Sequence, residues 1–221
     1  MRRIYKIASM LLISAFFAVS CLNGDGVIYN DQTVADVVNG ELITDAELHY
    51  NVIEDETDGK WVSEERVYLF SDILEETTKG HYNIRLRQYL TVEQLHPVKL
   101  SQIDDRVVGR DTTLVQSIWR GRQDRLNVLF AYPCKEKEDK STFTMVYDDN
   151  QSTTDKMVFI MRRNSHGDHI SSKDIVLGAS GVQYRQAVIT STYSEFLLRP
   201  DQNAQIVILN GSNADGRELG K

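Results

Sequence analysis

The residues whose types and spacing best suit chemistry form the run His166-Gly167-Asp168-His169. Two imidazoles that flank a carboxylate can bind zinc or copper, so His166, Asp168 and His169 could serve a metal-dependent envelope hydrolase together with a distant carboxylate. The run follows a hydrophobic strand pattern, however, and Gly167 can adopt the positive φ of a tight turn. The pattern favours a hairpin tip, and the metal site is the alternative. The remaining histidines are scattered without i, i+4 pairing: His49, His81 and His96.

Acidic residues occur in close groups that could support acid–base hydrolysis or calcium binding. The groups are Glu54-Asp55-Glu56 with Asp58, Glu75-Glu76, Asp104-Asp105 and Asp148-Asp149. The regular ligand spacing and turn glycine of an EF-hand loop are absent from the sequence. We interpret these groups as solvated surface, and Asp148-Asp149 as part of a turn between two strands.

Aromatic and basic residues suggest a second kind of site, one that stacks on a planar ligand. Trp119 lies beside a basic run that could bind a base or a sugar ring: Arg120, Arg122 and Arg125. Gly121 and Asp124 favour instead a hairpin with solvated arginines. Three further aromatic residues could line a carbohydrate platform but are more often core in a small β-barrel: Trp61, Tyr82 and Tyr89.

The motifs of nucleophilic and phosphate-transfer enzymes do not occur in the sequence. There is no Gly-x-Ser-x-Gly elbow, and the run Gly178-Ala179-Ser180-Gly181 is too short a likeness to one. There is also no glycine-rich phosphate loop that leads into a Lys-Ser or Lys-Thr pair. We therefore predict a protein that is not an enzyme and that needs no cofactor.

The chain that must position these residues has 221 residues and a formal net charge of -7. Hydrophobic residues make up 41% and charged residues 26%, as expected for a folded body and not for a disordered tail. The acidic balance argues against nucleic acid as a partner.

The N-terminus has the layout of an export signal: basic residues, a short apolar stretch over residues 7–19, then small residues before Cys21. Ala18-Val19-Ser20-Cys21 resembles the lipobox of bacterial lipoproteins, in which the cysteine becomes the acylated N-terminus. Acyl chains would anchor the protein to a membrane that it does not cross. Leu22 in place of aspartate after the cysteine favours the outer membrane, with the periplasmic or surface face left open.

Removal of residues 1–20 takes away three basic residues and no acidic one. The mature body then holds 22 basic and 32 acidic residues, a net charge of 22 − 32 = −10. Cys134 is left as the one unmodified cysteine, which we expect to be a small buried hydrophobic residue.

Apolar spacing in the body predicts strands. Leu126, Val128, Phe130 and Tyr132 occupy alternate positions and should share one strand face. Other runs rich in β-forming residues are residues 82–90, 157–161, 184–190 and 204–209. About ten short strands predict an all-β protein with few and short helical candidates, of which residues 72–77 and 194–198 are the best. A polar interval, residues 101–113, is interpreted as a linker between two modules.

Three stretches resemble the NigD-like lipoproteins. The first is Glu65-Arg66-Val67-Tyr68-Leu69-Phe70-Ser71-Asp72-Ile73-Leu74, followed by His81-Tyr82-Asn83-Ile84-Arg85-Leu86. The second extends over residues 111–132 and includes Val115, Ser117, Ile118 and Trp119 before the strand at residues 125–132. The third covers residues 157–168, a strand and its polar tip.

This resemblance implies an OB-like barrel followed by a β-sandwich in an envelope lipoprotein. We expect a signal peptide at residues 1–20, a lipidated tether at 21–26, the barrel at 27–103 and the sandwich at 104–221. The family supplies no catalytic residues that map onto this sequence. The leading hypothesis is a lipid-anchored, non-catalytic module that binds an envelope protein or a glycan. A bacteriocin-associated accessory or immunity role is suggested by the family name alone.

Overall fold

The computed structural model describes residues 26–111, 113–134, 140–167, 183–192 and 204–210. Nearly all of this part of the chain is β-structure, so the predicted all-β class is confirmed. The strands are β1 (Tyr29–Val38), β2 (Glu41–Thr44), β3 (His49–Asp55), β4 (Arg66–Thr78), β5 (His81–Leu95), β6 (Val98–Lys99), β7 (Leu114–Arg120), β8 (Arg125–Cys134), β9 (Thr142–Tyr147), β10 (Lys156–Asn164), β11 (Gln183–Thr192) and β12 (Gln205–Asn210). Short helical turns lie at Lys60–Ser63 and Leu100–Gln102, and one short helix, α1, at Asp105–Val108.

The first five strands close into a barrel in the spatial order β1-β2-β3-β5-β4-β1. The β3–β5 contact is parallel, and the other four contacts are antiparallel. This five-stranded arrangement is the OB-like barrel that the resemblance implied. Its interior is filled by alternate side chains of the strands, among them Leu42, Tyr50, Leu69 and Ile84, each almost fully buried.

The barrel continues directly into the sandwich through β5. Its end, from Val92 to Leu95, pairs in parallel with Val188 to Ser191 of β11. Strand β11 pairs in turn with β8, and β8 with β7, so one eight-stranded sheet runs through both modules. A four-stranded sheet in the order β12-β10-β9-β6 forms the second layer.

The sandwich core lies between these two layers and confirms the predicted alternation in β8. Leu126, Val128, Phe130 and Tyr132 all face one buried cluster. The opposite layer contributes Met157, Phe159 and Met161 from β10, together with Met145 and Tyr147 from β9. Cys134 is a buried free thiol in the same cluster, as expected.

The predicted helical turn at residues 72–77 is wrong, because these residues form the second half of β4. The run Asp72-Ile73-Leu74-Glu75-Glu76 contains good helix formers, but it pairs with β5, and Asp72 and Ile73 pair with β1 as well. Ile73 pairs with Tyr29 on one side and with Ile84 on the other, and its side chain is fully buried. Pairing on both edges overrides a weak local preference. The predicted turn at residues 194–198 lies outside the described residues.

The polar interval at residues 101–113 contains α1, whose N-cap residue Asp104 accepts a hydrogen bond from the Arg106 N–H. Before it, β6 already pairs with β9 of the second layer, at Val98 and Val146. The division between modules at residues 103 and 104 stays a prediction. Among the described residues, no helix is long and apolar enough to span a bilayer.

Candidate functional site

A groove lies where the barrel meets the sandwich, on the face of the eight-stranded sheet that points away from the barrel core. In β4, Val67 and Leu69 point into the barrel, so the alternate residues Tyr68 and Phe70 point out of it. The sheet curves enough for this outer face to meet that of β7 and β8. The rings of Tyr68 and Trp119 lie 6.1 Å apart between centroids, one on each wall.

The groove encloses a cavity of about 310 Å³ with uncharged walls. Its lining consists of Gln32, Thr33, Tyr68, Ser117, Trp119 and Leu129. A second hollow of about 240 Å³ is also lined by Trp119 and reaches Arg120 and Ile206. Trp119 therefore lines both hollows, and its side chain is partly exposed.

The polar atoms of the groove are an amide and hydroxyls. The Tyr68 hydroxyl donates a hydrogen bond to Oε1 of Gln32 at 3.3 Å. Burial, and then the nearby charge of Asp31, raise the pKa of Tyr68, which keeps this hydroxyl a neutral donor. An aromatic face with neutral donors and acceptors suits a ligand that has both apolar and hydroxyl-rich surfaces. The arrangement contains no assembled nucleophile and base among its lining residues.

A buried ionic network holds the two walls together, and Arg66 of β4 is its centre. The Arg66 side chain is only 6% exposed. It donates to Asp36 Oδ1 at 2.5 Å and to both carboxylate oxygens of Asp45 at 2.7 and 2.8 Å. It also reaches across to the sandwich, where Thr190 Oγ1 and Asn127 Oδ1 each accept at 3.2 Å.

Asp36 extends the network to the β7–β8 hairpin. Arg122 donates to it at 2.6 Å, and Nη1 of Arg125 contacts both of its oxygens at 2.8 and 2.9 Å. Burial tends to raise the pKa of Asp36, but hydrogen bonds from Arg122 and Arg66 outweigh it and hold the pKa below its usual range. The interpretation of Arg122 and Arg125 as solvated is therefore wrong, because both are tied to the barrel. The hairpin itself is confirmed by the β7–β8 pairing.

The sequence-predicted cluster at residues 166–169 is described only in part. His166 and Gly167 occupy a turn with φ of 50° and 103° after β10, and the hairpin tip itself stays a prediction, because residues 168–182 lie outside the described residues. The His166 ring shares a hydrogen bond of 3.0 Å between Nε2 and Thr142 Oγ1. Asp168 and His169 lie outside the described residues, so the metal site that includes them stays a hypothesis. Cys21 also lies outside them, and its lipidation stays a prediction.

Other residues singled out in the sequence have mainly structural roles. Trp61, Tyr82 and Tyr89 pack in or against the barrel core, as predicted. Asp148 accepts from the N–H groups of Asn150 and Gln151, which confirms the predicted turn. The exposed Glu54 and Glu56 form ion pairs with Arg85 and Arg87, respectively.

One cluster was missed in the sequence. Glu41, His49 and His81 meet on the barrel surface, with one potential metal-binding atom from each within 4.8 Å of the others. Two histidines 32 positions apart carry no helical spacing signal. A repeat nevertheless marks them, because His49-Tyr50-Asn51 and His81-Tyr82-Asn83 are identical and pair in register in β3 and β5.

Comparison with solved structures shows several proteins of the same fold. A NigD-like immunity protein from Bacteroides caccae has 17% sequence identity and a TM-score of 0.53, with 82% of this chain and 84% of that chain covered. A candidate lipoprotein from Bacteroides fragilis has 14% identity and a TM-score of 0.55, with 82% and 90% covered. A protein of unknown function (DUF1344) from Bacteroides vulgatus has 16% identity and a TM-score of 0.55, with 81% and 83% covered.

At these identities the matches establish the fold. They confirm the resemblance to NigD-like proteins at that level, for a chain organised as a barrel and a sandwich. No protein-family profile matches the sequence, and no curated protein is detectably similar to it.

Proposed function

We propose that this chain, with the fold of NigD-like proteins, is a lipid-anchored, non-catalytic module of the cell envelope that binds a neutral glycan in the groove. The observation that carries the proposal is the uncharged cavity walled by Tyr68 and Trp119. A sugar ring has an apolar face that can stack on an indole and a rim of hydroxyls. Gln32, Thr33 and Ser117 supply partners for such hydroxyls.

The charge distribution also favours a neutral ligand over an ionic one. The mature chain is strongly acidic, and two carboxylates at the junction, Asp36 and Asp45, are paired with arginines. An anionic polymer would face repulsion from the body, and a cationic one would find no carboxylate among the groove residues. A neutral oligosaccharide would depend on stacking and hydrogen bonds, which the groove provides.

Replacement of Trp119 by alanine is expected to weaken binding of a neutral oligosaccharide by about 5- to 150-fold, because loss of one stacking platform removes about 1–3 kcal/mol. Calorimetric titration of the purified protein with neutral envelope oligosaccharides measures this loss. Tyr184 of β11 is a matched control, since its ring is 49% exposed and lies outside the groove lining. Tyr184→Ala should bind as the wild type does.

Two results would count against the glycan assignment. The first is a wild-type protein that binds none of the neutral oligosaccharides. The second is binding that survives intact in Trp119→Ala. If the groove instead bound a polypeptide, and Trp119→Ala abolished that binding, the result would favour an immunity-type role. The Bacteroides caccae neighbour is described as an immunity protein.

Anchoring through Cys21 places the module in the envelope in this proposal, with the outer membrane as the expected site. Cys21→Ala should abolish incorporation of a labelled fatty acid into the protein, because Cys21 is the expected acylation site. Metabolic labelling of cells followed by immunoprecipitation measures the loss. Cys134→Ala is the control and should keep the label, whereas a labelled Cys21→Ala protein would contradict lipidation at this residue.

A further inference from the structure

The surface cluster of Glu41, His49 and His81 is built by the strand register that closes the barrel. His49 and His81 are direct neighbours in the parallel β3–β5 pairing. Ile43 pairs with His49 across the β2–β3 ladder, and Glu41 lies two positions from Ile43 on the same face of β2. Leu42 and Tyr50, the alternate residues, fill the barrel core, so the three ligating side chains point outwards together.

The distances within the cluster are close to those of a metal site. His49 Nδ1 lies 3.0 Å from Glu41 Oε1, and the two imidazole rings stack with centroids 4.5 Å apart and an interplanar angle of 23°. Metal–ligand bonds of about 2.0–2.2 Å in a tetrahedral zinc site place its ligand atoms roughly 3.3 Å from one another. The ligand atoms lie within 4.8 Å of one another, so an adjustment of about 1.5 Å or less brings them to this spacing.

The side chains can make that adjustment because they are partly exposed. The side chains of His49 and Glu41 are 33% and 43% exposed, and His81 is exposed. Their backbones, in contrast, are fixed in three paired strands. Rotation about side-chain bonds is thus available without a change in the barrel.

The donor set points to zinc. Two imidazole nitrogens and one carboxylate oxygen form a borderline N/O set that suits Zn²⁺ better than Mg²⁺ or Ca²⁺, which prefer all-oxygen sites. We propose that Glu41, His49 and His81 bind one Zn²⁺ ion on the barrel surface and leave a fourth coordination position open. The ion joins β2, β3 and β5 at the contact where the barrel closes.

This site is separate from the groove, which is formed by β1, β4, β7 and β8. Zinc bound by Glu41, His49 and His81 should stabilise the fold, because the ion binds the folded barrel and not the unfolded chain. We therefore expect Zn²⁺ at ~100-fold over its dissociation constant to raise the unfolding midpoint by roughly 5 °C or more. Glycan binding need not change.

The test measures zinc content of the full chain after equilibrium dialysis, by mass spectrometry, and the unfolding midpoint with Zn²⁺ or with chelator. The wild type should hold one Zn²⁺ per chain. His81→Ala and Glu41→Gln should each bind at least ~10-fold more weakly and lose the thermal shift. Both positions are on the surface, so the variants should fold, and circular dichroism in chelator verifies this.

His166→Ala is the matched control, because it removes a histidine from the other candidate cluster. It should keep the bound zinc and the full thermal shift. Absence of zinc from the wild-type chain after dialysis, or equal zinc in wild type and His81→Ala, would overturn the proposal. Loss of zinc in His166→Ala with retention in His81→Ala would overturn it in favour of the residues 166–169.

Discussion

Replacement of Arg66 by alanine is expected to lower the free energy of unfolding by about 3–5 kcal/mol, because the buried carboxylate of Asp45 loses its arginine partner and Asp36 loses one of its three. Asp36 and Asp45 each lose a guanidinium contact of 2.5–2.7 Å. Thr190 and Asn127 lose the donor that joins them to the barrel. Urea denaturation followed by circular dichroism measures the change.

Arg106 provides the matched control for Arg66. It also pairs with an aspartate, Asp104, at 3.1 Å, but its side chain is 90% exposed. Exposed pairs contribute about 0–1 kcal/mol, so Arg106→Ala should unfold almost as the wild type does. Equal, small effects of the two substitutions would contradict the view that the Arg66 network holds the junction. The Arg66 variant should also lose affinity in the groove, since Tyr68 lies only two positions along β4.

Alanine at Gly109 is expected to destabilise the fold by about 3 kcal/mol or more, through steric overlap and backbone strain together. Gly109 has φ 69° and ψ 178°, a conformation that is essentially restricted to glycine. A Cβ atom there would lie 2.3 Å from the carbonyl oxygen of Arg163 and 2.7 Å from the Cα of Asn164. Both are backbone atoms at the end of β10, so the segment after α1 would have to move away from the sandwich.

Substitution of Gly80 separates the effect of backbone strain from that of steric overlap. Its φ is also positive, at 80°, but a Cβ atom would meet no atom within 4 Å. Gly80→Ala should therefore cost about 1 kcal/mol for strain alone. Thermal unfolding of both variants measures the difference. If Gly109→Ala were no more destabilising than Gly80→Ala, the close approach of this segment to β10 would be contradicted.

Local sequence patterns predicted the buried face of the sandwich strands better than the contacts between barrel and sandwich. The alternation of Leu126, Val128, Phe130 and Tyr132 is a property of one strand, and it correctly gave the buried face of β8. The helix-forming run from Asp72 to Glu76 led to a wrong prediction, because its conformation is decided by pairing with β5 and, at Asp72 and Ile73, also with β1. Strand-like apolar spacing predicted the all-β class, and the resemblance implied the order of barrel and sandwich.

The candidate sites depend on contacts between residues that are distant in sequence. Arg66 meets Asp36 and Thr190, which are 30 and 124 positions away. Charge runs alone could not show that Arg122 and Arg125 neutralise a barrel carboxylate. For His49 and His81, the repeated His-Tyr-Asn was a usable signal, but it acquires meaning only when β3 and β5 are known to pair in register.

Binding of a neutral glycan in the groove beside Trp119 can be tested directly by acrylamide quenching of tryptophan fluorescence. Trp61 is 4% exposed and should be poorly quenched, so quenching reports mainly on the half-buried Trp119. A neutral oligosaccharide that stacks on the indole should protect it from acrylamide in a saturable manner. If an oligosaccharide binds by calorimetry but leaves quenching unchanged, or if none binds, the proposed glycan site is contradicted.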